Sequence, residues 1–118
     1  MRLRCLIVDD NTSFLTVATE LLEREGLEVV GAAATAAEAL ARTRELLPDV
    51  VLLDIVLGDE SGLDVARQLA VDAPRPPVVI FISTHSQSDF AELVGSAPAA
   101  GFVPKAELSA AAVRRLVG

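Results

Sequence analysis

Apolar and polar residues along this chain come in blocks. Three blocks, CLIVDD (5–10), DVVLLDIVL (49–57) and PPVVIFIS (76–83), are rich in consecutive Val, Ile, Leu and Phe. A strand with one wet face alternates in polarity, whereas a strand covered on both faces does not. The blocks therefore predict strands of a parallel sheet sandwiched between helices. Weaker runs at LEVVGAA (27–33) and AAGFVP (99–104) predict two more.

The intervening segments have helical spacing. NTSFLTVATELLEREG sets Phe14, Val17, Ala18, Leu21 and Leu22 on one face, with Asn11 or Thr12 as cap and Gly26 as stop. TAAEALARTRELLP opens with Thr35 and Glu38 at capping-box spacing and closes at Pro48. SGLDVARQLAVD starts at Ser61 and carries Asp64 in its first turn, where the helix dipole favours a negative charge. SQSDFAELVG (86–95) and SAAAVRRLVG (109–118) predict two shorter helices, the last capped by Ser109. Five strand–helix alternations over short connections predict one doubly wound α/β domain over residues 1–118. The expected architecture is a five-stranded parallel sheet in the flavodoxin-like order 2-1-3-4-5, with right-handed crossovers placing helices on both faces.

Composition narrows the partners. Of the 118 residues, 52% are hydrophobic, yet no apolar run approaches the roughly 20 residues that span a bilayer, so these side chains form a core. The first apolar run is too short for a signal peptide and ends in acids, which predicts a cytoplasmic location. A single cysteine, Cys5, excludes an internal disulfide and suits a reducing compartment. The formal charge of −7 argues against direct binding of nucleic acid.

In an open α/β sheet the ligand site lies beyond the carboxyl ends of the strands, where the strand order switches. With order 2-1-3-4-5 that point lies between the first and third strands, whose ends carry Asp9, Asp10 and Asp54. Carboxylates about 5 Å apart at an effective dielectric near 20 repel by about 3 kcal/mol per pair. A cation must offset this. With few protein oxygens on offer, Mg²⁺ retaining several waters fits better than fully caged Ca²⁺. His85 is the only histidine and Cys5 sits within a strand, so zinc is disfavoured. Ser83 closes the fourth strand and Lys105 follows the fifth. A hydroxyl, an ammonium and a divalent metal around one carboxylate make an anion pocket with a nucleophile inside it. These parts suffice for phosphoryl transfer to Asp54. Asp9 and Asp10 as turn formers, Lys105 as a solvated charge, Ser83 as a cap and Phe102 as core are the structural alternatives. His85 is read as a solvated loop residue, and Asp59 and Glu60 as loop acids that add field without ligating.

Together LIVDDN, DVVLLDIVLGDESGLDVA, VVIFIS and GFVPK resemble the receiver domain of two-component response regulators, over essentially the whole chain. The resemblance implies that Asp54 is the phosphoacceptor. It makes Asp10, Asp54 and the carbonyl of Val56 ligands of Mg²⁺, with Asp9 acting through water. Ser83 and Lys105 match the family's hydroxyl and lysine, and Phe102 its aromatic switch. The implied donor is a sensor histidine kinase or a phosphotransfer protein, and the implied target a downstream effector protein. A dimer formed on phosphorylation is among the partners allowed. The output face would comprise SQSDFAELVG, the fifth strand and the last helix. Several positions depart from the commonest pattern: Val56 is apolar, Thr84 is bulkier than Ala or Gly, Gly58 stands where Pro is frequent, and Pro104 precedes Lys105.

The resemblance implies a signalling module rather than an enzyme, one that assists its own phosphorylation and dephosphorylation. A phosphatase with an aspartyl intermediate wants an acid two residues after its nucleophile, where this chain has Val56. A Ser83/His85 hydrolase lacks the Gly-x-Ser-x-Gly setting, and a degenerate, purely protein-binding receiver conflicts with every key position being filled. The end at Gly118, soon after the last helix, predicts a stand-alone receiver. The alternative is the receiver of a larger DNA-binding transcriptional regulator.

Overall fold

The computed structural model describes residues 2–84 and 97–118. The chain runs β1 (Arg4–Val8), α1 (Thr12–Arg24), β2 (Glu28–Ala33), α2 (Ala36–Leu46), β3 (Val50–Asp54), a hairpin of β4 (Val56–Leu57) and β5 (Glu60–Ser61), and α3 (Gly62–Asp72). It continues through β6 (Val78–Ser83), β7 (Gly101–Pro104), a 3-10 turn (Lys105–Glu107) and α4 (Ala110–Val117). The main sheet has the order β2-β1-β3-β6-β7, all parallel. With the hairpin set aside this is the expected 2-1-3-4-5.

The unbroken apolar runs arise because each central strand serves two cores. Leu6, Val8, Val51, Leu53, Val79 and Phe81 point to the side covered by α2 and α3, through Ala39, Val65, Ala66 and Leu69. Cys5, Ile7, Val50, Leu52, Ile80 and Ile82 point to the other, covered by α1 and α4 through Ala18, Leu22, Ala110 and Val113. Helices therefore lie on both faces. Burial pushes the Cys5 thiol up to about 11, so it stays a protonated, inert part of the core.

The start signals act as caps. Asn11, not Thr12, caps α1, its side chain accepting the Phe14 N–H at 3.1 Å. Thr35 accepts the Glu38 N–H, while Glu38 accepts the Ala34 N–H, one residue before the reciprocal partner of an ideal capping box. Ser61 and Ser109 cap α3 and α4.

Two expectations are corrected. Val17 is 62% exposed and does not join the buried stripe of α1, which is anchored by Ala18 and Leu22. The run 49–57 is not one strand: β3 ends at Asp54, and Val56–Leu57 pair antiparallel with Glu60–Ser61. Gly58 opens that hairpin's turn with φ +61, a value that a glycine adopts without steric cost. The helix expected at 86–95 lies outside the described residues. Among the described residues no helix is long and apolar enough to cross a membrane.

Candidate functional site

β1 leads to β2 on one side and β3 to β6 on the other, so a crevice opens beyond the carboxyl ends of β1 and β3. Both strands end there by the same device. Asp9 Oδ1 accepts the Asn11 N–H at 2.9 Å, and Asp54 Oδ1 accepts the Val56 N–H at 3.1 Å. Each aspartate thus turns the backbone out of the sheet two residues on, and among the described residues each keeps its second oxygen free of backbone bonds.

Those second oxygens converge on Lys105, the first residue past β7. Its Nζ donates to Asp54 Oδ2 at 3.1 Å and forms an ion pair with Asp9 Oδ2. The lysine side chain is only 12% exposed, and both aspartates are buried. Asp10 is exposed at the rim, its Oδ2 beside the Gly58 turn of the hairpin. One carboxylate oxygen from each of Asp9, Asp10 and Asp54 lies within 4.8 Å of the other two. Among the described residues three carboxylates share one ammonium, which leaves two negative charges unbalanced. An all-oxygen cluster with that excess of negative charge fits a hard divalent cation.

The electrostatics follow from burial. Desolvation pushes the Asp54 carboxyl above the usual carboxylate range and the charge of Asp9 adds to this, outweighing the hydrogen bonds from Lys105 and Val56. Burial also pushes the Lys105 ammonium down, but hydrogen bonds and charge from Asp9 and Asp54 prevail and hold it above its ordinary value.

Of the sequence candidates, Asp9, Asp10, Asp54 and Lys105 come together. Ser83 is buried at the end of β6, in register with Pro104 and so beside Lys105 along the sheet end. Val56 follows the Asp54 turn with its side chain half exposed. Phe102 is buried in β7, in register with Phe81, in the core on the α2 and α3 side. Thr84 is exposed next to Ser83, and all peptide bonds among the described residues are trans. His85 lies outside the described residues.

Two participants escape sequence reading. Glu60, expected to add field only, accepts the Ala36 N–H at 2.9 Å and ties the hairpin to the start of α2. Phe14 packs against the core from the inward face of α1, as expected, and what escaped is that its ring also lies 4.5 Å from Lys105 Nζ. Its place in the first turn after the acid pair was the available signal.

The model of the response regulator receiver domain matches residues 5–116. This chain belongs to the response regulator receiver domain family. The receiver domain is 40% identical over 104 residues to protein-glutamate methylesterase/protein-glutamine glutaminase 5 of Myxococcus xanthus, covering 87% of the chain and 30% of that protein. It is 40% identical over 88 residues to the DNA-binding response regulator MtrA of Mycolicibacterium paratuberculosis, covering 73% and 38%. The chain thus spans about a third of the length of these relatives. Among solved structures, the signal receiver domain of the putative response regulator NarL from Mycobacterium tuberculosis superposes with a TM-score of 0.85 at 29% identity, covering 99% of this chain and 98% of that one. A CheY-like receiver domain from Methanospirillum hungatei gives 0.78 at 28%, covering 98% and 90%.

Proposed function

We propose that this receiver domain takes a phosphoryl group on Asp54 from a phosphohistidine of a sensor histidine kinase or phosphotransfer protein, and that the modification changes a surface read by an effector protein in the cytoplasm. The observation that carries the reading is the convergence of Asp9, Asp10 and Asp54 on one buried lysine.

Asp54 is the nucleophile: a carboxylate oxygen attacks phosphorus, the bond from phosphorus to the donor imidazole breaks, and an acyl phosphate forms. The raised proton affinity of the buried carboxyl makes it a stronger nucleophile than a solvated one. Lys105 moves its charge from Asp54 Oδ2 to a phosphoryl oxygen, a short shift for a side chain already in contact. Ser83, buried at the adjoining strand end, donates a hydrogen bond to another. Asp10, Asp54 and the Val56 carbonyl would hold Mg²⁺, with Asp9 acting through water; bound there, the ion offsets the acidic repulsion and neutralises charge on the transferring group. Burial of Ser83 at the end of β6 and of Phe102 within the neighbouring β7 supports their proposed role in relaying the state of Asp54 to the surface. Val56, where an aspartyl phosphatase wants an acid, favours stoichiometric signalling over turnover.

Incubation with acetyl phosphate and Mg²⁺ tests this by intact mass. The wild type gains one phosphoryl group; Asp54→Asn and EDTA each abolish the gain. An adduct that survives Asp54→Asn refutes the assignment.

A further inference from the structure

Lys105 has a third neighbour that carries no charge. Its Nζ lies 4.5 Å from the centroid of the Phe14 ring, within the range of a cation–π contact. The ring is set in place by a closed circuit of bonds. Asp9 Oδ1 accepts the Asn11 N–H, Asn11 Oδ1 accepts the Phe14 N–H, the ring meets Lys105, and Lys105 returns to Asp9 Oδ2. The N-cap that starts α1 therefore also aims an aromatic face at the ammonium. Lys105 is the chain's only lysine; the other nine basic residues are arginines.

We infer that Phe14 is a positioning residue, holding the Lys105 ammonium at the site through its ring face; this rests on the proposed role of Lys105 in phosphoryl transfer. A lysine stem has four rotatable bonds, and its partners here are the carboxylates whose charge the reaction and a bound cation alter. When Asp54 becomes an acyl phosphate, its pull on the ammonium changes in strength and direction. The pull of the ring does not change. A neutral π face adds nothing to the acidic repulsion and takes no proton, and it shields from water a side chain that is 12% exposed. Leucine would fill similar space without this attraction.

The test uses the full chain with Phe14→Leu, with 3,4,5-trifluorophenylalanine placed at position 14, and with phenylalanine installed by the same route. Labelled lysine gives one ε-methylene signal, read without metal or phosphate, and the initial phosphorylation rate is read with acetyl phosphate and Mg²⁺. The ring should shift the wild-type ε-methylene protons upfield, and Phe14→Leu should abolish that shift. The rate should fall roughly three- to tenfold in Phe14→Leu and by an intermediate factor with the fluorinated ring, which keeps the shape but loses the negative face. Installed phenylalanine should restore it. A wild-type rate with the fluorinated ring, whether or not Phe14→Leu is slow, would make Phe14 a packing residue and overturn the inference, as would an unmoved lysine signal in Phe14→Leu. If the wild type itself gains no phosphoryl group at Asp54, the site reading falls, while the lysine signal still decides whether the ring holds the ammonium.

Discussion

The two ends of β3 each carry an aspartate, and they are built for opposite purposes. At the amino end Asp49 Oδ2 accepts the Arg4 N–H at 2.9 Å, its N–H donates to the Arg4 carbonyl, and its carbonyl accepts the Val78 N–H. The Arg4 and Arg75 guanidiniums both bond the carbonyl of Leu47, which ends α2 in a left-handed conformation at φ 47. Backbone, carboxylate and cations there satisfy one another and lash β1, β3, β6 and α2 together. At the carboxyl end, Asp54 shares one ammonium with Asp9, and an excess of negative charge stays in the cluster. One polar network is closed; the other is open and keeps more negative charge than its one ammonium balances.

The largest expected effect comes from disturbing the packing behind the open end. A Cβ on Gly62 would stand 2.0 Å from the Asp54 carbonyl oxygen, and that oxygen belongs to backbone. Gly62→Ala is expected to lose about 3 kcal/mol in urea unfolding; a loss below about 1 kcal/mol would disprove so close an approach. Asp49→Ala breaks the closed end and strands the Arg4 N–H, with an expected loss of about 2 kcal/mol and no change in phosphorylation rate. Asp54→Asn should do the reverse. The folded chain holds the Asp54 proton more tightly than the unfolded chain does, so without divalent cation wild-type stability falls as pH rises from about 3.8 through the raised value. Asp54→Asn lacks that fall and is the more stable protein at neutral pH, as urea titrations in EDTA at several pH values would reveal; a less stable variant would contradict the contrast. The smallest effect is Glu60→Ala, about 0.5–1 kcal/mol, with faster exchange of the Ala36 amide that Glu60→Gln largely prevents.

Much of this was legible in the chain. Unbroken apolar runs predict strands with two covered faces, and the acids at their ends mark the crevice, because burial and charge are written in residue type. The break after Asp54 was not legible: Ile55, Val56 and Leu57 continue the apolar run, while the Val56 N–H bond to Asp54, the Gly62 N–H bond to the Ile55 carbonyl and the pairing with Glu60–Ser61 take the backbone out of the sheet. Val17 fits a helical stripe by spacing, but Ala18 and Leu22 already fill the space against the sheet. Phe14 reads as inward-facing and does pack against the core, but periodicity gives no sign of the ammonium that its ring also meets. Glu60 reads as a loop acid because its partner, Ala36, lies 24 residues away.

No two neighbouring strands of the main sheet are joined by a tight turn; paired positions such as Arg4 with Glu28 and Cys5 with Val50 are far apart in the chain. Lys105 reaches Asp54 across 51 residues. Contacts of such long range form late and slowly. A chain in which β7 has not yet docked therefore lacks the ammonium that Asp9 and Asp54 share, so the acidic cluster gains its counter-charge only in the last step of sheet assembly.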